Sequence, residues 1–341
     1  MARFKKAGLL CAITAAFCMI AGSAFAGPIW KFGDEDQGLL KLDYKGQFQL
    51  KNQDSGDDDT TEFNFRRNRL ALMGAYGQNF SLYVQTEYVE DNDYSSDDGD
   101  KFQLLDAVMR FKLNDSANLW VGKFKYNLTR ENLEACEMPL TLDRSTLIRA
   151  PFVATRDKGV ALWGNLFDNK FQYRVDAMNG ADSNADSNIR YSARAHVSLL
   201  DPEKGYGYKG TYMGKKQVLT IGAAYQFEDE VAMAGSEAVD YAAWTVDLFA
   251  EYPVEDVGTF TLSGAYVDYD LDEAYKSASY DDGVVGMTGE KNGGYVKVGY
   301  MFPNMPLQLF ARSENWSFAK LDNVYDQEIV FYGAGFNYYL R

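Results

Sequence analysis

Leu40-Lys41-Leu42-Asp43-Tyr44-Lys45-Gly46-Gln47-Phe48-Gln49-Leu50-Lys51 sets an apolar or small residue against a polar one along its whole length. A period of two sends successive side chains to opposite faces of an extended chain, so this stretch reads as a strand with one oily and one wet face. A strand of a soluble sandwich shows the same alternation. How often the pattern repeats, and what joins the repeats, separates the two.

The same alternation predicts further strands near Asn64 to Tyr76, Phe80 to Tyr88, Leu104 to Leu113, Asn118 to Lys125, Gly159 to Asn165, Phe171 to Met178 and Ile189 to Leu199. Others follow near Val218 to Phe227, Ala242 to Tyr252, Thr259 to Val267, Gly294 to Met301, Leu307 to Glu314 and Gln327 to Leu340, which makes 14 with the first. Odd-numbered gaps are long and acidic: Asn52 to Glu62, Val89 to Asp100, Tyr126 to Lys158, Gly180 to Ser187, Glu228 to Asp240, Asp268 to Asn292 and Asn315 to Asp326. Most even-numbered gaps are short: Gly77-Gln78-Asn79, Asn114 to Ala117, Leu166 to Lys170, Pro253 to Val257 and Phe302 to Pro306. Long connections at one end and short ones at the other mark an outer-membrane barrel, with long extracellular loops and short periplasmic turns. The expected fold is therefore all-β, an antiparallel transmembrane β-barrel of about 14 strands. Asp201 to Lys216 breaks the rule as a long even gap, and its Gly205-Tyr206-Gly207-Tyr208-Lys209-Gly210 has the spacing of a dinucleotide fingerprint. No helix pattern follows it and no βαβ unit surrounds it, so it reads as a glycine-rich turn.

Residues 1–26 carry a basic start (Arg3, Lys5, Lys6), an apolar run from Ala7 to Ile20, and Ala24-Phe25-Ala26 before Gly27, the pattern of a secretory signal cleaved near Ala26/Gly27. Residues 27–341 are then one barrel domain. Losing the leader's three positive charges takes the formal charge from -15 to -18, which argues against nucleic acid as a partner. Cys11 and Cys18 lie in the leader, so Cys136 stands alone and reads as a packed loop thiol. An aromatic share of 15%, spread among alternating apolar positions, suits a barrel with interfacial girdles; Tyr44, Tyr76, Tyr88, Trp120, Trp244, Tyr252 and Tyr300 are the expected girdle residues.

On the wet face, the strands place Lys41, Lys45, Arg67, Arg69, Arg110, Lys112, Lys123, Lys125, Arg174, Arg190, Arg194, Lys297 and Arg312 against Asp43, Glu87, Asp106, Asp176, Asp247, Glu251 and Glu314. Any one cation reads equally well as a brace for a neighbouring acid. The excess as a group makes a basic lumen in an acidic chain, a bias that draws anions and disfavours cations. The segment 126–158 is too long for a plain connector, and reads as a constriction loop whose Arg130, Arg144, Arg149 and Arg156 offer guanidinium forks to oxyanions. The acidic outer loops lack a calcium-loop spacing and read as solvated surface.

Phe65-Arg66-Arg67-Asn68-Arg69-Leu70-Ala71-Leu72 leading to Gly74, Val121-Gly122-Lys123-Phe124-Lys125 followed by Glu131, and Arg156-Asp157-Lys158-Gly159-Val160 are similar in order and separation to motifs of the phosphate-selective porin O/P family of outer-membrane channels. The resemblance covers most of residues 40–340. It implies a passive porin, often trimeric, whose basic residues conduct phosphate or similar oxyanions; by motif position it carries over to Arg67, Arg69, Lys123 and Arg156. The chain departs from the family in having only Leu340-Arg341 after Asn337-Tyr338-Tyr339, which implies fewer strands than the usual sixteen, and in having Asn127 where the family favours proline.

The functional expectation is a porin for small anions, with no cofactor and no metal site, in contact with outer-membrane lipid and lipopolysaccharide. The alternative is a non-conducting barrel that sheathes or docks a partner such as a redox protein. An enzyme is not expected: His196 is the sole histidine, so a multi-histidine metal site is excluded, and a histidine-based hydrolase rests on that one residue.

Overall fold

Strands that alternate oily and wet residues must satisfy their backbone groups with neighbours, and here each pairs with the next in sequence. The structure, a computed structural model, describes residues 27–54, 59–89, 101–135, 138–145, 147–152, 155–180, 188–278, 280 and 283–340. The leader, Cys136, Asp57-Asp58 and Asp97-Asp98 lie outside the described residues.

Fifteen strands form one antiparallel sheet in sequence order. They are β1 (Ile29–Phe32), β2 (Gly38–Asp54), β3 (Asp59–Tyr76), β4 (Phe80–Val89), β5 (Lys101–Asn114), β6 (Ala117–Phe124), β7 (Asp157–Leu166) and β8 (Phe171–Met178). They continue as β9 (Arg190–Ser198), β10 (Val218–Ala234), β11 (Glu237–Val254), β12 (Gly258–Asp270), β13 (Lys291–Met301), β14 (Leu307–Leu321) and β15 (Val324–Tyr338). β2 to β15 match the predicted strands one for one. β1 is the addition, and at four residues it is too short to carry a period. Among the described residues one α-helical turn, α1 (Arg130–Leu133), and three short 3-10 turns (Asp34–Asp36, Ala274–Lys276 and Gly286–Thr288) interrupt the β structure. Among the described residues no helix is long and apolar enough to cross a membrane.

Some expected long loops are instead continued strands. β10 runs on to Ala234 and turns at Gly235 (φ 71); β14 runs on to Leu321 and turns through Asp322 and Asn323 (φ 48 and 63). Two-residue turns with positive φ match the twist of paired strands. The ladder persists where the alternation that reveals it is interrupted, in β10 by a register shift between Glu228 and Ala232, so Glu228 to Asp240 and Asn315 to Asp326 are ends of hairpins rather than loops.

The sheet is wrapped around the segment between β6 and β7. Asp143 of that segment holds Arg66 and Arg67 of β3 while its carbonyl accepts from Arg312 of β14. The Leu140 carbonyl accepts from Asn337 of β15, the Ile148 carbonyl from Tyr269 of β12, and the Asn127 N–H donates to Asp176 of β8. One segment touches strands from both ends of the order, which requires the sheet to curl into a barrel. Among the described residues no ladder joins β15 to β1 or β2. On the convex side Leu70, Val175, Tyr191, Ile221, Trp244, Leu262, Val298 and Leu309 are exposed, an oily belt of the kind hydrocarbon requires.

Candidate functional site

The barrel interior is filled by two insertions that enter from opposite ends. Residues 125–156 come from the long-connection end. Residues 199–217 come from the short-turn end, and their glycine-rich run is not a surface turn. Its Tyr208 forms a parallel bridge with Glu134, bonded through Ala135 N to Tyr208 O at 2.8 Å and Tyr208 N to Leu133 O at 3.2 Å. Gly210 fits because nothing larger does: a Cβ there would lie 2.5 Å from the Leu140 nitrogen. Thr129 caps α1 by accepting from the Asn132 N–H at 3.1 Å, which fixes where the following side chains point.

Arg130 is fully buried and donates from both terminal nitrogens to Glu203, each at 2.8 Å, beneath the rings of Tyr208 and Phe249. Arg194 forms a second buried fork on Asp247 (2.6 and 2.9 Å) and donates to the Tyr208 hydroxyl. Arg190 pairs with Glu228 at 2.6 Å. Lys297 and Arg312 converge on Glu131, Lys297 in a hydrogen-bonded ion pair and Arg312 at 3.6 Å. Buried charges persist only when partnered in this way, so these cations brace the plug.

The opposite wall is less filled. Inner side chains of β8 to β14 are mostly buried, whereas those of β2 to β4 are mostly half-buried; Lys41 and Asp43 each keep 25% of their side-chain surface. Strand register puts Lys41, Lys45, Arg67, Arg69 and Arg110 on that inner face with Asp43, Glu87 and Asp106. Arg69 pairs with Glu87 at 2.7 Å, Arg67 with Asp143 at 2.8 Å, and Arg156 reaches Asp106 at 3.0 Å. Arg110 is half-buried between the rings of Tyr83 (5.0 Å) and Trp120 (4.2 Å), and among the described residues it has neither a hydrogen bond nor an ion pair. Arg174 has no carboxylate partner either; it is buried against Tyr206 and Tyr208 and donates to Gln172 and the Gly205 carbonyl.

The remaining predicted site residues are scattered. Arg144 donates to the Asn132 carbonyl, Arg149 is exposed at the long-connection end, and Lys125 lies just past β6 and donates to the Glu134 carbonyl. Lys123 is on the outer face, not in the lumen. It stands opposite Ala107 and Lys158, and its ammonium caps the Leu104 carbonyl. The correction extends to Trp120, expected in the outer girdle: it faces inward, opposite Arg110 and stacked on Tyr206 at 4.0 Å. Both shifts follow from one register choice, since moving a strand's phase by one residue exchanges its faces. Sequence reasoning missed Glu203, Tyr206 and Tyr208; the unusual length of the connection that carries them was the available signal.

At the long-connection mouth, Glu290 accepts from the Leu271 N–H at 3.2 Å. Burial together with Asp270, Asp268 and Asp272 pushes its carboxyl up to about 8.

No curated protein matches the sequence. Among solved structures it is similar to OmpT, an outer membrane protein of Vibrio cholerae (10% identity over 90% of this chain and 99% of that one, TM-score 0.39). It is also similar to a mutant of Rh. blastica porin (14% identity, 87% and 98%, TM-score 0.43) and to OccAB1 of Acinetobacter baumannii (9% identity, 92% and 88%, TM-score 0.41). These likenesses are too loose to transfer any residue. The sequence model of one family matches residues 39–314, from the second strand to the middle of β14 and across both insertions. The chain belongs to the family described as phosphate-selective porin O and P.

Proposed function

We propose that this outer-membrane porin passes small anions, phosphate or similar oxyanions, along the β2 to β5 side of its lumen. The observation that carries the reading is the composition of that less filled wall: Lys41, Lys45, Arg67, Arg69 and Arg110 face Asp43, Glu87 and Asp106. A cationic bias in a channel with low-dielectric walls raises the local concentration of anions and repels cations. Arg67, Arg69, Arg110 and Arg156 are the residues assigned to the anion path. Arg130, Arg190 and Arg194 act by holding the plug, and Arg174 adds charge from behind it.

The mature chain is residues 27–341, one barrel domain released by cleavage near Ala26/Gly27. It works as a channel rather than an enzyme, as a homotrimer, surrounded by lipid and lipopolysaccharide. The measurement that tests the anion reading is the reversal potential of the purified protein in a planar bilayer under a salt gradient. A potential of the sign set by anions supports the reading, and cation preference overturns it.

One observation favours a second reading, a closed barrel that docks a partner. The two insertions fill the β6 to β14 side with a packed core that includes Phe124, Tyr126, Leu128, Leu133 and Tyr208. Absence of conductance, together with a stoichiometric protein retained through purification, supports that alternative.

A further inference from the structure

Lys123 stands directly opposite Lys158, so the outer face of the ladder between β6 and β7 sets two ammonium groups side by side. Like charges at facing positions of a ladder repel. Among the described residues neither has a carboxylate partner. Asp157, the acid next to Lys158 in sequence, gives its two oxygens to the backbone N–H groups of Lys158 and Gly180. Lys123 donates to the Leu104 carbonyl at 2.9 Å, where β5 carries one more residue than β4: Asp106 faces Gln85 and Leu104 faces Thr86, so Leu105 has no counterpart. An ammonium carries three donors, so this bond leaves Lys123 free to hold an anion.

The height of the pair on the wall decides what it meets. One step down the same face stand Val121 and Val160, and below them Leu119 and Leu162. Val160, Leu119 and Leu162 are exposed and belong to the oily belt. Two residues of strand rise about 7 Å, so the ammonium groups sit at the upper edge of that belt, toward the long-connection end. On the β5 side Leu104 and Phe102 are also exposed, with the Phe102 ring 5.3 Å from that of Tyr88, the type of side chain that lies at headgroup level. Elsewhere on that rim the outward charges include the acids Asp268 and Asp270 of β12 and Glu328 of β15.

We propose that Lys123 and Lys158 form a lipid site on the outer wall, holding a phosphate of an outer-leaflet lipopolysaccharide while its acyl chains lie along Val160, Leu119 and Leu162. A phosphate between the two ammonium groups replaces their repulsion with a shared attraction. The apolar stems of both lysines run along the oily wall and carry the heads to the interface. A carboxylate of a second copy could also meet these lysines, but an anionic head with hydrocarbon hanging below it matches both the charge and the aliphatic strip beneath. The inference rests on the outer-membrane placement and not on what the lumen conducts.

The test is native mass spectrometry of the purified protein in detergent with EDTA present. The probes are lipid A, the phosphorylated anchor of lipopolysaccharide, the same lipid dephosphorylated, and inorganic phosphate. Phosphorylated lipid A is expected to bind more tightly than the dephosphorylated form. Lys123→Gln or Lys158→Gln should weaken it by roughly 5-fold, and the two together by about 25-fold, whereas arginine at both positions should retain it. Both side chains lie outside the packed interior, and an unchanged reversal potential in the double glutamine variant confirms that the barrel is intact. Equal binding of the two lipids, or an unchanged double glutamine variant, overturns the site. Binding that appears only when magnesium is restored assigns the lipid to the acidic rim and overturns it too. Inorganic phosphate that displaces lipid A at equal concentration makes the pair a free-phosphate site, and an altered oligomer with unchanged lipid binding makes it an interface between copies; either result overturns the lipid assignment. A protein that conducts nothing but binds lipid A through the pair overturns the channel reading and leaves the site standing.

Discussion

Arg130 and Glu203 meet through two bonds of 2.8 Å each, although they come from connections that leave the sheet at opposite ends. The pair is the clasp of the plug: it ties the insertion after β6 to the insertion after β9, at a depth where neither charge reaches water.

Breaking the clasp from one side should be costly. Glu203→Ala leaves Arg130 buried with only Glu134, at 3.9 Å, to offset its charge, and breaking a buried pair from one side costs about 3–5 kcal/mol. Thermal unfolding in detergent should show the loss, and Arg130→Met with Glu203→Leu should recover much of it by removing both charges. A double variant as unstable as the sum of the singles rejects the clasp as described.

Gly210 should be intolerant of a side chain. A Cβ placed 2.5 Å from the Leu140 nitrogen must push backbone apart, since no flexible side chain stands in the way to yield. Gly210→Ala is expected to cost about 1–3 kcal/mol, the usual range for overpacking, and to increase the current noise of single channels as the two insertions separate. Unchanged noise and stability would show that the insertions do not bear on each other there.

Asp143 neutralises Arg66 and Arg67 at 2.5 and 2.8 Å, so Asp143→Asn should leave two guanidiniums uncompensated beside the less filled wall. Reversal potentials should move toward stronger anion preference, and the shift should shrink as salt rises because these groups are partly solvated. Lys123→Gln is the internal control: on the outer face it should leave the potential unmoved. A large effect of Lys123→Gln contradicts the face assignment.

Glu290 sets a pH dependence for the connection between β12 and β13. Burial and three nearby aspartates raise its carboxyl to about 8 from 4.5. The folded state then keeps a proton that the unfolded chain gives up near 4.5, so the contribution to stability is complete below that value and is lost as pH rises through about 8. Protection of residues 271–290 against hydrogen exchange, corrected for the intrinsic rate, should fall across that window. Glu290→Gln should flatten the profile, and an unchanged profile in the variant assigns the effect elsewhere.

The sequence by itself determined the meander. Alternation in Leu40 to Lys51, and its recurrence up to Gln327 to Leu340, is a local property of an extended chain, since each residue's face follows from its neighbour's. It located all of β2 to β15 but not β1, too short to show a period, nor the hairpin ends near Gly235 and Asp322-Asn323, where the alternation is interrupted. Tertiary structure alone decided what fills the barrel. Arg130 with Glu203, Lys297 with Glu131 and Arg312 with Asp143 join residues 73, 166 and 169 positions apart. No local pattern encodes such pairings, because they depend on how far the sheet curls and how deep each insertion reaches. For the same reason composition showed a basic lumen without showing which cations are spent on the plug, and only the fold separates Arg130, which holds it, from Arg110, which faces the remaining space.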